Sequence, residues 1–113
     1  MGRQVVFGLE RIKYLEENWR EIASLTLNTA RKFAEVKEAI VYGSVIKGKA
    51  MGSSDLDIAL VVKGLDPTCV RDLLVKIHLS LPEEISEILD LNLIDEKDEE
   101  EFLKFAGIYE VIR

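Results

Sequence analysis

Cysteine occurs once, at Cys69, so the chain has no internal disulfide to brace it and suits a reducing compartment. His78 is the one histidine, and a lone Cys and a lone His supply too few ligands for a zinc or redox centre. No apolar run reaches the length that a membrane span needs. Met1 to Leu9 also lack the charged, apolar and small-residue order of a signal peptide. A cytoplasmic protein with no membrane partner is expected. Positive charge is short as well: 15 Lys and Arg stand against 21 Asp and Glu, a net charge of −6. A domain that grips a nucleic acid backbone carries a basic stripe, and none is visible here. No direct nucleic acid substrate is therefore expected.

What remains suffices for one domain, residues 1–113, in which 48% hydrophobic residues can build a real core. After a Val5-Val6-Phe7 patch and Gly8, the stretch from Leu9 to about Glu35 has no proline or glycine. Its Ile12, Leu15, Trp19, Ile22, Thr26, Ala30 and Phe33 recur at three-and-four spacing, which predicts one long helix. Tyr14, Leu25 and Leu27 exceed what that stripe needs, and a homo-oligomer or partner face is their alternative use. Ala39–Tyr42 and Leu56–Val62 read as buried strands, and Ile88–Ile94 as a third by alternation. Asp66-Pro67 opens a helix to about Ser80, with Asp66 as cap and proline at its first position. Asp95 caps a last helix, docked by Phe102, Leu103, Phe105 and Ala106, and Ile108–Ile112 adds an edge strand. The expected fold is α/β (α+β): a small mixed β-sheet with helices packed on one face and an open polar face carrying Asp55, Asp57 and Asp90.

The chain is organised around the stretch from Gly43-Ser44 to Asp55-Leu56-Asp57. Side chains alternate along a strand, so Asp55 and Asp57 share a face while Leu56, Ile58, Leu60 and Val62 take the other. Two such carboxylates repel by roughly 4 kcal/mol at an effective dielectric near 20, which a divalent cation relieves. Asp90, on the third strand, is the candidate for a third ligand. Mg²⁺ prefers about six oxygen ligands and keeps waters or phosphates among them. In a two-metal site Asp55 and Asp57 suit the bridging role and Asp90 the third position. Gly43 and Ser44 offer backbone N–H groups and a hydroxyl to phosphates, with Lys47 and Lys49 as a small basic spot. Ser54 shapes the turn before Asp55 and completes the candidate nucleotide-binding set.

Gly43-Ser44, ten residues, then Asp55-Leu56-Asp57 resembles the G-S-x10-D-x-D signature of minimal nucleotidyltransferases in the DNA-polymerase-β-like superfamily. Leu89-Asp90-Leu91 is similar to the strand that carries their third carboxylate. The resemblance covers about Ile40 to Ile94. It implies the polymerase-β-like nucleotidyltransferase fold, Mg²⁺, an NTP donor (ATP foremost), and transfer of NMP to an acceptor hydroxyl with release of pyrophosphate. It also implies a helical HEPN-type partner protein, since such domains act as antitoxins that adenylylate it. The family commonly has Arg-Ala-Arg-Gly after Gly-Ser, whereas this chain has Val45-Ile46-Lys47-Gly48; Lys47 keeps a positive charge without the bidentate fork of arginine.

Rival readings are weaker or narrower. Gly43-x4-Gly48-Lys49 nearly spells a P-loop, but position 50 is Ala where Mg²⁺ needs Ser or Thr, and no helix opens there. Taken alone, D-x-D is a pair of solvated charges at a strand entrance; the upstream Gly-Ser and the placed Asp90 turn the balance. The second functional reading is a non-catalytic antitoxin or scaffold that acts by protein–protein binding and keeps the site as a nucleotide sensor or a relic.

Overall fold

In the computed structural model, residues 2–113 are described, with side chains from residue 9 onward. The backbone of Gly2–Ala30 forms a single helix, α1. It starts earlier than Leu9 because Gly8 lies within the helix, and it stops short of Glu35. The side chains of the Val5-Val6-Phe7 patch lie outside the described ones. Leu15, Ile22, Ala23, Thr26, Leu27 and Ala30 form its buried stripe. The hydroxyl of Thr26 donates to the Ile22 carbonyl at 2.8 Å, which lets a polar residue sit in the core. Leu27 belongs to this stripe rather than to an outer face, while Tyr14 and Leu25 are exposed. Beyond Ala30 the chain turns, and Phe33 is exposed there rather than on the helix stripe.

Strands β1 (Val36–Tyr42), β2 (Leu56–Val62), β3 (Leu89–Asp95) and β4 (Tyr109–Ile112) form one sheet in the order β3-β2-β1-β4. β2 and β3 are parallel, and the other two pairings are antiparallel. A parallel pair needs a crossover, which α2 (Val70–Ser80) and α3 (Glu83–Ser86) supply between β2 and β3. The β1–β2 register slips between Val36 and Glu38, a bulge that turns Val36 to the same side as Ala39 and Val41. α1 and α2 cover this side, where Leu56, Ile58, Leu60, Val62, Leu89 and Leu91 complete the main core.

The opposite side is closed over part of its area. Ile40, Ala59 and Val61 are wholly buried beneath Tyr42, Ile94, Tyr109 and the Phe102 and Leu103 side chains of α4 (Glu99–Ala106). The face expected to be open is thus covered over Ala59, and the exposed strip is the end that carries Asp57 and Asp90. Phe105 does not dock on the core. It is 78% exposed and only leans on Phe102, with ring centroids 5.9 Å apart. Asp95 accepts from the backbone N–H groups of Leu65 and Lys97, which fixes the end of β3 and opens the turn into α4. No helix among the described residues is long and apolar enough to cross a membrane.

Far from the aspartates, Glu38 on β1 is 3% exposed. Burial, then a hydrogen bond with Glu99 on α4, holds its carboxyl above the ordinary range, although Arg113 lies 3.5 Å away. Glu99 moves down, first because Glu38 donates to it and also because Lys37 pairs with it at 2.9 Å. A carboxyl whose folded pKa is raised favours the fold while protonated and loses that contribution as pH rises through the raised value. Glu38→Gln keeps a donor for Glu99 without the charge. Thermal melts should therefore give wild-type stability below Glu38's titration and a gain of about 1 kcal/mol, or about 4 °C in Tm, above it. Destabilisation of this variant at alkaline pH would show that the Arg113 ion pair outweighs burial.

Candidate active site

β1 delivers its last residue, Tyr42, into a hydrogen-bonded turn. The Lys47 N–H bonds to the Gly43 carbonyl at 3.1 Å, Gly48 to Val45 at 3.2 Å, and Lys49 to Ser44 at 2.8 Å. The last two bonds, with Gly48 at φ 71°, form a Schellman motif: one helical turn closed by a left-handed glycine. Val45 is buried in the main core, with Ile46 packed against that core. The two apolar residues that replace the family's Arg-Ala are therefore anchors for the turn. Among the described residues, the N–H groups of Ser44, Val45 and Ile46 have no backbone acceptor, so they are left for a ligand or water at the head of the turn.

Gly43 itself sits at φ 82° against Asp57, and a Cβ built on it would overlap the Asp57 carboxyl. Only a residue without a side chain lets the backbone pass this close. Asp57 lies opposite Asp90 in the parallel β2–β3 register, and opposite Tyr42 in the β1–β2 register. Partial burial pushes the Asp57 carboxyl up to about 6, helped by a hydrogen bond with Asp90 and by the charges of Asp90 and Asp55, with Lys47 opposing. The Asp57 and Asp90 carboxyls thus lie within reach of a shared proton. Tyr42 stands beside them, its phenol pushed up by burial and by both carboxylates. Asn92 donates to its oxygen at 3.0 Å, and Phe102 meets its ring edge-on at 5.1 Å. Neighbours on β3 and α4 therefore hold this wall in place.

Asp55 stands apart. It precedes β2, and its Oδ1 accepts from Arg11 Nη2 of α1 at 2.7 Å, while Arg11 Nε donates to the Ser54 carbonyl at 3.2 Å. The Ser54 hydroxyl accepts from the Met51 N–H at 2.8 Å, so it shapes the turn as its position implied. Lys47 lies close enough to act on Asp57, and Lys49 is exposed on the turn. Sequence reasoning missed Arg11 and Tyr42. For Arg11 a signal existed: it falls four residues before Leu15, on the face where the stripe calls for an apolar residue. Its partner lies 44 positions away, which no local pattern reveals.

The donor chemistry fits a hard divalent cation in part. Asp57 and Asp90 supply two carboxylates whose repulsion a cation would relieve. Yet among the described residues no three His, Cys, Asp or Glu side chains are grouped to hold a metal, and the Asp55 carboxylate is paired with Arg11. Comparison with known proteins agrees with the fold. The chain belongs to the family described as Polymerase beta, Nucleotidyltransferase, whose family model matches residues 26–109. A search of curated protein sequences returns no match. Among solved structures, a candidate nucleotidyltransferase from Sulfolobus solfataricus superposes with a TM-score of 0.61 at 20% identity. That match covers 93% of this chain and 85% of the other, a likeness of fold.

Two outcomes test the geometry. Gly43→Ala should cost about 3 kcal/mol or more in chemical denaturation, since it adds overlap with Asp57 to left-handed strain. Gly48→Ala, also left-handed but with nothing within 4 Å of the added carbon, should cost only about 1–2 kcal/mol. Equal costs would mean that Asp57 does not crowd Gly43. An NMR titration should place the Asp57 midpoint near 6, and Asp90→Asn should move it down towards the ordinary carboxylate range. Because the folded value is raised, wild-type stability should fall as pH climbs through about 6, and this slope should flatten in the Asp90 variant. A midpoint that ignores the Asp90 substitution would separate the two carboxyls.

Proposed function

We propose that this domain transfers NMP, with ATP as donor of AMP, to a hydroxyl of a protein acceptor and releases pyrophosphate. The observation that carries this reading is the pairing of Asp57 with Asp90 across parallel strands, directly beside the Gly43-Ser44 turn. Bound there, Mg²⁺ would supply charge neutralisation for the triphosphate and its leaving group, held by Asp57 and Asp90 with Asp55 as a further ligand. The chain's own residues divide the remaining work. N–H groups at the head of the turn and the Lys47 ammonium receive phosphate oxygens. Asp90, exposed and beside Asp57, takes the proton of the attacking hydroxyl. Most of the rate then comes from placing the donor and acceptor in line, with charge stabilisation beside it.

The acceptor is proposed to be a helical HEPN-type partner, with this chain as the antitoxin of a two-gene pair. Support is indirect: the sequence signature from Gly43-Ser44 to Asp55-Leu56-Asp57 resembles that of minimal nucleotidyltransferases. A second reading, a nucleotide-binding antitoxin without catalysis, draws on the Arg11–Asp55 ion pair and the absence of a third grouped ligand among the described residues.

Incubation with labelled ATP, Mg²⁺ and the neighbouring gene's product distinguishes them. Label should pass to the partner, and Asp57→Asn should reduce transfer about a hundredfold or more while leaving the complex intact. Absence of transfer by the wild type, with partner binding and protection preserved in the Asp57 variant, would favour the binding-only protein.

A further inference from the structure

Among the described residues, Arg11 makes the only ion pair with Asp55, Asp57 or Asp90. Its two donors hold the Asp55 carboxylate and the backbone immediately before it, so one guanidinium fixes both the side chain and its attachment. It comes from a part of α1 that the family match, residues 26–109, does not include. A carboxylate oxygen that accepts a guanidinium proton at 2.7 Å does not offer the same lone pair to a cation. A cation arriving at Asp57 and Asp90 would also be repelled by the guanidinium. Arg11 lines a cleft of about 510 Å³ as well, together with Glu10, Tyr14, Glu84, Glu87 and Ile88. A guanidinium leaving Asp55 would thus remain among carboxylates, which lowers the cost of its departure.

We propose that Arg11 and a divalent cation compete for Asp55, so that the cation gains this ligand only when Arg11 moves off into the cleft. Arg11 is then a positioning residue, one that sets how readily the site fills. The inference rests on the reading of Asp57 and Asp90 as a cation site.

Mn²⁺ binding to the full chain, followed by electron paramagnetic resonance of the free ion, tests it. Arg11→Gln should bind about tenfold more tightly than wild type, the size expected when a charge-assisted competitor is removed. Arg11→Lys, which keeps the charge and loses the fork, should fall between them. Unchanged or weaker binding by Arg11→Gln would overturn the proposal, because an arginine that merely holds Asp55 in place for the ion costs affinity when removed. Should that variant fail to fold, the wild type answers through its Arg11 Nε–H resonance. Addition of Mg²⁺ should shift it and speed its exchange with water as the bond to Ser54 breaks; a resonance unmoved at saturation overturns the proposal. Asp57→Asn is the separate control. Wild-type Mn²⁺ affinity in that variant would remove the underlying cation site, whatever Arg11 does.

Discussion

Two neighbouring parallel strands carry an acidic residue at the same rung, and the ladder leaves neither free to turn away. The Leu56 N–H bonds to the Ile88 carbonyl at 2.8 Å, and from there β2 and β3 run in step, Leu56 opposite Leu89 and Asp57 opposite Asp90. A slip of one residue would send Asp57 to the core and Leu56 or Ile58 to the surface. The main core, with Leu56, Ile58, Leu89 and Leu91 packed beneath α1 and α2, therefore enforces the juxtaposition of charge on the other face. Each of those leucines and isoleucines contributes roughly 1.5–3 kcal/mol by burial, more than a half-exposed carboxylate pair costs. Packing on one side of the sheet thus stores unfavourable electrostatics on the other.

That strain has a definite location. Tyr42, held by Asn92 and Phe102, closes one side of the pair, and the Gly43 backbone presses against Asp57 from the turn. The turn is itself rigidly founded, with Val45 in the core and Gly48 closing the Schellman motif. Its free N–H groups and Lys47 bring partial and full positive charge beside the carboxylates without neutralising them. An acidic pair next to an anion-receiving turn is an arrangement in which a cation and a phosphate each improve the binding of the other. This cooperation follows from charge alone and is shared by catalytic and sensing readings of the site.

Much of this was legible in the sequence, and the failures have physical causes. The alternation in Leu89-Asp90-Leu91-Asn92-Leu93 and the apolar run from Ile58 to Val62 both mark strands correctly, the first because one side of β3 is buried at Leu89 and Leu91, the second because β2 is buried on both sides. The Gly-Ser to D-x-D spacing points to a turn beside carboxylates; Gly43 does lie against Asp57, while Asp55 pairs with Arg11. The features that the sequence does not reveal are non-local. The bulge between Val36 and Glu38 lengthens β1 beyond its apolar run, Phe102 and Leu103 cover part of the face expected to be open, and Arg11 reaches Asp55 from 44 positions away. Glycine and serine mark irregular backbone and so conceal the ordered turn at 44–48; Val45, in sequence only a departure from the pattern the chain resembles, is the buried anchor of that turn.

Whether the paired carboxylates form a cation site is the claim on which the functional reading stands. Anomalous diffraction from crystals soaked in Mn²⁺ addresses it most directly. A peak is expected within bonding distance of both Asp57 and Asp90, at the side facing the Gly43-Ser44 turn. Well-ordered carboxylates with no peak between them, or a peak bound elsewhere on the acidic surface alone, would contradict it.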